Sequence, residues 1–204
     1  MDDAPFDAGF YNDLDATLDA LWARLARGAA DRRSPMHTVQ LATVGLDGGP
    51  RLRTVVLRGV DRAGCSLRVH TDRRSTKAAE IAADPRGELL GYDPRAKIQI
   101  RARGPVTLHL EDGPAEAAWA SSKPGARVCY RAAHGPGAPL SAPHAADPAD
   151  EARNPADPEA GRAHFAALTL APTRLEWLYL AARGHRRAVF DLDGEAWRGG
   201  WLAP

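Results

Sequence analysis

Apolar residues recur at helical spacing in one early segment and at alternate positions over most of the remaining chain. Between residues 11 and 27, Leu14, Leu18, Leu21, Trp22 and Leu25 fall on one helical face, and Gly28 closes the pattern. Beyond Pro35 the period shortens to two. HTVQLATV (37–44) and RLRTVVLRGV (51–60) read as strands, and LDGGP between them carries Asp-Gly and Gly-Gly turn chemistry, so a hairpin is predicted. A second turn at DRAG leads into the strand SLRVHT, with Leu67 and Val69 on one face. STKAAEIAADP then reads as a short helix, with Ala79, Ile81 and Ala82 as its apolar stripe and Pro85 as its stop.

RGELLGYD (86–93) is a further strand. KIQIRARGPVTLHL (97–110) alternates most clearly, with Ile98 and Ile100 on one side and Lys97, Gln99, Arg101 and Arg103 on the other. Its Gly104-Pro105 predicts a bend or bulge. GPAEAAWASS reads as a short helix ending near Lys123-Pro124. HFAALTLAP, LEWLYLAA, RRAVFDLD and AWRGGWLAP return to strand. From about 135 to 161 the chain is Ala, Pro and Asp with few large apolar residues, which predicts a mobile loop. The expectation is a mainly β, α+β fold: one domain over 1–204, a small antiparallel barrel with a few flanking helices.

Composition narrows the partners. At 204 residues the chain is large enough for one proper core, and its formal net charge of +1 gives no basic field that favours nucleic acid. Basic residues are not interleaved with aromatic ones as a single-strand binding surface requires. No apolar run spans a bilayer, and the acidic start MDDAPFDAGF lacks an apolar signal core. Two cysteines, Cys65 and Cys129, do not make a disulfide framework. A soluble cytoplasmic protein is expected. His37, His70, His109 and His185 are too scattered to argue a metal site, so none is expected.

The stretch VHTDRRSTKAAEI (69–81) concentrates the chemistry. Arg73, Arg74, Ser75, Thr76 and Lys77 gather where a helix begins, although a helix N-terminus already carries partial positive charge. Either Asp72 or Ser75 caps the helix and the cations face water, or an anion occupies the site. Three other segments carry polar residues that a plain core does not need: RTVVLR with Arg53 and Arg58, the strand KIQIR with Gln99, and the C-terminal set Trp177, Arg183, His185 and Arg187.

The order and spacing of RTVVLR, HT…STK, QIRARG and WLYLAARGHRR resemble the FMN-binding split β-barrel of the pyridoxamine 5′-phosphate oxidase family. In that family a strand R-x-V-L-L-K precedes an aromatic-Thr pair and an S-R-K helix start. A Gln in R-Q-V-x-V-x-G and a C-terminal W-x5-R-L-H-D-R follow. The resemblance implies FMN as cofactor. Arg53 and Lys77 would hold its phosphate, with Ser75 and Thr76 beside them. The backbone of Thr54, Val55, Val56 and Leu57 would line the isoalloxazine near His70 and Thr71. Gln99 would hydrogen-bond the flavin, and Trp177 and Arg187 would complete the site from the second subunit of a homodimer. Arg58, Arg183 and His185 would lie on the substrate side, with Arg183 and His185 as the candidates for catalysis.

The family holds its substrate phosphate through Tyr, Arg and Ser spaced by four. Here that register reads Trp119, Lys123 and Arg127. Arg58 replaces a Lys, Thr76 an Arg and Arg186 an Asp. The implied activity is an oxidase that takes a hydride from a small substrate and passes the electrons to oxygen. The alternatives are a non-catalytic FMN-binding or sensing protein, and a flavin reductase with another substrate. Other split-barrel branches bind haem or a deazaflavin.

Overall fold

The computed structural model describes residues 9–147, 150–153, 155–182 and 184–204. The helix α1 (Leu14–Ala30) starts three residues later than its periodicity suggests, because Asp13 accepts from Ala16 N at 2.8 Å and caps it. It also runs past Gly28. That glycine is a packing position: a Cβ there would lie 2.5 Å from Met36 O, and His37 Nδ1–H donates to Gly28 O at 2.7 Å. The predicted stop is therefore a close approach between α1 and the 35–37 turn.

The strands are β1 (Thr38–Val44), β2 (Pro50–Asp61), β3 (Ser66–Asp72), β4 (Arg86–Asp93), β5 (Ile98–His109), β6 (Phe165–Leu170), β7 (Arg174–Tyr179), β8 (Arg186–Asp193) and β9 (Ala196–Leu202). Their order is β4-β1-β2-β3-β6-β5-β7-β8-β9, and a further β4–β5 pairing closes six of them into an antiparallel barrel. The strands β7, β8 and β9 continue outward from β5. The predicted hairpin is β1–β2, closed by Gly45 N–H on Gly49 O at 2.7 Å.

The expected irregularity at Gly104-Pro105 is not a bulge. β5 runs unbroken through it and changes neighbours there, pairing with β7 over Ile98–Arg103 and with β6 over Val106–His109. Any Cβ at Gly104 would overlap Ala171 O, and Pro105 lacks the N–H that this crossover leaves unused. The bulge lies instead in β2, where Arg58 is skipped between Leu57 and Gly59. Beyond it, from Leu57 back toward Pro50, β2 leaves β3, and that edge has no strand partner among the described residues.

The core joins the barrel interior (Leu41, Leu57, Leu67, Ile98, Ile100 and Leu168) to α1 and to Trp177 and Phe190 of the outer strands. The short helices α2 (Thr76–Ala83), α3 (Gly113–Ala120), α4 (Pro124–Arg127) and α5 (Asp150–Arg153) flank it. α2 covers the barrel beside β1 and β5. On the outside, Trp119 and Tyr130 pack with Phe165, so β6 is buried on both faces. The expected loop carries the α5 turn and is tied down by Arg131, which donates to Ala152 O at 2.8 Å and Ala160 O at 3.0 Å.

Candidate functional site

The start of α2 decides between the two readings of its basic stretch. Ser75 occupies the N-cap, but its side chain makes no capping bond. Asp72 is taken by Arg74, whose Nη2 donates to it at 2.7 Å, and Arg73 turns out to Glu111 at 3.2 Å. Lys77 remains. Its Nζ donates to Thr71 Oγ1 at 3.1 Å, and Thr71 Oγ1 lies 3.1 Å from Ser75 Oγ. Burial first, then the nearby Arg53 charge, lowers the Lys77 pKa against the pull of Asp72 and Glu80. Thr71, Ser75, Lys77 and Arg53 therefore converge on one half-buried spot, while Thr76 is exposed.

Arg53 is less free than its motif implies. It donates from Nη2 to Glu80 Oε2 at 2.6 Å and from Nη1 to Thr43 Oγ1, and Thr43 Oγ1 donates to the same carboxylate oxygen at 2.6 Å. The Glu80 side chain is only 2% exposed. Sequence periodicity missed Glu80, because the buried side of α2 is Ala78, Glu80 and Ile81 rather than the predicted Ala79, Ile81 and Ala82 stripe. No local signal marks a buried glutamate whose partner lies 27 residues away.

Gln99 and Arg187 belong to a second group. Strand register places Tyr92, Gln99, Leu178, Arg187 and Leu202 in one cross-strand row over five strands. Trp177 is corrected by this register: it is fully buried on the opposite face of β7, 6.0 Å edge-on from Phe10. Leu178 is the residue that reaches the Gln99 face. Arg187 also donates to Glu176 Oε2 at 2.9 Å. Burial raises the Glu176 pKa, but the bonds from Arg187 and Arg174 outweigh it and hold the carboxyl below its ordinary value. His185 is exposed at the rim of a cavity of about 210 Å³ that it shares with Arg187, Trp201 and Leu202. Arg183 lies outside the described residues.

A third group lines the outer face of β2 and β3. Val55 and Leu57 point into the core, Thr54 and Val56 point out, and Arg58 is exposed on the bulge. His70 stacks edge-on against Phe165 at 5.0 Å, with Ser122 Oγ 3.5 Å from Nδ1. Burial, then the charges of Arg68 and Arg58, hold its pKa down to about 3, so the ring is neutral at pH 7.

The expected substrate register is used differently. Trp119 Nε1–H donates to Glu159 Oε2 at 2.7 Å, and the Arg127 guanidinium lies 4.2 Å above the indole while donating to Trp119 O. These two residues fasten the 157–160 segment, and of the three only Lys123 is exposed. Among the described residues no His, Cys, Asp or Glu group is arranged to hold a metal, and no helix is long and apolar enough to cross a membrane.

Residues 19–110 match the family model for the FMN-binding domain of pyridoxamine 5′-phosphate oxidase. A pyridoxine/pyridoxamine 5′-phosphate oxidase of Anaeromyxobacter dehalogenans is 34% identical over 184 residues, which cover 88% of this chain and 91% of that protein. One from Arabidopsis thaliana is 30% identical over 172 residues, covering 79% and 84%. The structure of a pyridoxamine 5′-phosphate oxidase-related FMN-binding protein from Nostoc punctiforme superposes with a TM-score of 0.75 at 28% identity, over 91% of this chain and 96% of that one. PhzG of Burkholderia lata, solved with tetrahydrophenazine-1-carboxylic acid, shares the fold at a TM-score of 0.71 and 22% identity, over 96% of each chain.

Proposed function

The chain belongs to the pyridoxine/pyridoxamine 5′-phosphate oxidase family, and we propose that it is an FMN-dependent oxidoreductase acting on a small substrate. The observation that carries this reading is the convergence of Lys77 Nζ, Thr71 Oγ1 and Ser75 Oγ at the uncapped start of α2. These donors fit a phosphate dianion: one ammonium, two hydroxyls and the amide end of a helix. The strandless edge of β2 beside them offers unpaired backbone groups to the polar rim of a flavin. FMN held there would supply the redox chemistry, as acceptor of a hydride and donor of electrons to oxygen.

The chain's own part is to bind and orient. Lys77 neutralises the phosphate. Gln99, Leu178 and Arg187 present a hydrogen-bonding side chain, an apolar one and a cation in a single row. That row lies far from Lys77 in one protomer. Thr43 faces Gly87, which faces Gly104, and Gln99 is five residues further along β5, about 17 Å at strand rise. In this reading a second copy of the chain would supply the row to the first copy's cradle, and the active unit is a homodimer. Arg183 and His185 remain the candidates for positioning substrate.

The first test is the visible spectrum of the purified protein, with the released chromophore identified by mass. Near-stoichiometric FMN is expected, and Lys77→Ala should lower its retention at least tenfold while the melting temperature barely moves. Unchanged flavin content in that variant removes the phosphate assignment. One observation favours a second reading, an FMN protein without turnover: Trp119 and Arg127 are engaged in packing rather than facing a ligand. Steady-state oxidation of pyridoxamine or pyridoxine phosphate, or of NAD(P)H, excludes it.

A further inference from the structure

The Arg74 guanidinium is used on two edges. On one, Nε and Nη2 donate to the two oxygens of Asp72 at 3.0 and 2.7 Å, and the Arg74 backbone N–H donates to the same carboxylate at 2.8 Å. The Asp72 side chain is only 5% exposed, so this edge is fixed to the end of β3. On the other, Nη1 donates to Ala132 O at 3.0 Å and to Ala133 O at 3.4 Å. A side chain at the entrance to α2 thus holds main chain 58 residues further on.

The held segment is shaped to Arg74. A Cβ on Gly135 would lie 2.9 Å from Arg74 Cβ and 3.5 Å from its Cδ, so glycine lets the chain lie against the arginine stem. Gly135 to Ala138 then has the pattern of a type II turn. Pro136 is second, Gly137 is third with φ +87°, and Ala138 N–H donates to Gly135 O at 3.1 Å. The turn comes down beside the first residue of α2: a Cβ on Gly137 would lie 3.9 Å from Thr76 Oγ1. Thr76 is exposed, and its side chain makes no hydrogen bond among the described residues.

The sequence of this segment, AAHGPGA (132–138), has no large apolar side chain to bury, so it cannot hold its own place by packing. Fixing a long arginine costs rotamer freedom, and capping α2 does not require the Nη1 bonds. What those bonds achieve is position. Asp72 follows Thr71, and Thr76 lies between Ser75 and Lys77, so the clasp and the turn flank the three side chains of the phosphate cradle.

We propose that Arg74 is a positioning residue for the cofactor: it clasps the 132–138 segment so that the Gly135–Ala138 turn, with the Thr76 hydroxyl, closes the rim of the cradle and slows the exit of the FMN phosphate. The proposal rests on the flavoprotein reading for the identity of the bound group. Arg74 touches no ligand in this scheme and acts through the turn.

The test loads the protein with FMN and, separately, with riboflavin, and follows release by the recovery of flavin fluorescence after stopped-flow dilution. Riboflavin has the same ring but no phosphate, so the clasp does not restrain it. Arg74→Ala is expected to speed FMN release at least tenfold and to leave riboflavin release unchanged. Arg74→Lys keeps the charge but lacks the fork that serves Asp72 and Ala132 together, and should behave like Arg74→Ala. Gly135→Ala keeps the Asp72 pair while lifting the turn off the arginine stem, and should speed FMN release at least threefold; it decides the matter if Arg74→Ala does not fold. Arg86→Gln, at an exposed ion pair on β4, should release FMN as wild type does. If the Arg74 and Gly135 variants release FMN like wild type, or release both flavins faster to the same extent, the clasp is overturned and the flavoprotein reading stands. A wild-type protein that takes up no FMN overturns both.

Discussion

Arg53 and Lys77 lie side by side near the start of α2, yet they do different work. Arg53 neutralises the buried Glu80 carboxylate, while Lys77 Nζ hydrogen-bonds the Thr71 hydroxyl. Removing one partner of a buried ion pair leaves the other charge uncompensated, at about 3–5 kcal/mol. Arg53→Ala is therefore expected to cost about 3 kcal/mol in denaturant unfolding, and Arg53→Ala with Glu80→Gln should recover most of it. Flavin loss in Arg53→Ala alone mixes instability with lost binding, which is why Lys77→Ala is the cleaner probe. His70 makes a pH prediction. Its folded pKa of about 3 lies below the ordinary 6.5. Between those values the unfolded chain binds a proton that the folded chain refuses, so this contribution to stability falls as pH drops from 6.5 toward 3. The full loss is on the order of 5 kcal/mol at about 1.4 kcal/mol per pH unit. Comparing unfolding at pH 7 and pH 4 should show a shallower acid loss in His70→Gln than in wild type.

Two elements are governed by close approach rather than propensity. In an exposed helix Gly→Ala gains about 1 kcal/mol. At Gly28 the sign reverses, because the new methyl would press on the Met36 carbonyl at 2.5 Å. Gly28→Ala is expected to lower the melting temperature by several degrees; a rise would show that the 35–37 turn moves aside freely. The strand β7 teaches the same lesson by parity. Side chains alternate across a sheet, so a one-residue shift in reading moves a side chain to the other face. Trp177 and Leu178 are neighbours in sequence, but one packs in the core and the other sits between Gln99 and Arg187.

For the whole molecule, the closed barrel and the outer strands put the α2 cradle and the Gln99 row at separate places on one protomer. Exposed apolar residues accompany the outer face, with Leu52 at 70% and Tyr92 and Leu202 near 40% exposure. Sedimentation at micromolar concentration is expected to give a dimer. Leu178→Asp, placing a carboxylate in the middle of the row, should shift the protein toward monomer and lower FMN content together. A monomeric Leu178→Asp variant with full FMN would show that one protomer suffices.

The amino-acid sequence by itself determined the alternation that makes the strands, the α1 and α2 segments, the hairpin turn, and the conjunction of RTVVLR, HT…STK and QIRARG that marks the family. These are legible because local periodicity and turn chemistry act over a few residues, and because motif order survives substitution. Only the tertiary structure decided which charges are free. Glu80 takes Arg53 across 27 residues, Asp72 takes Arg74, and Glu159 reaches the Trp119 indole across 40, while Lys77, Arg58 and Arg68 make no carboxylate bond among the described residues. It also decided that Gly28 packs and that Leu178, not Trp177, shares the face of Gln99 and Arg187. The reason is physical: pairing and burial depend on distances between segments far apart in the chain, and those distances exist only once the barrel has closed.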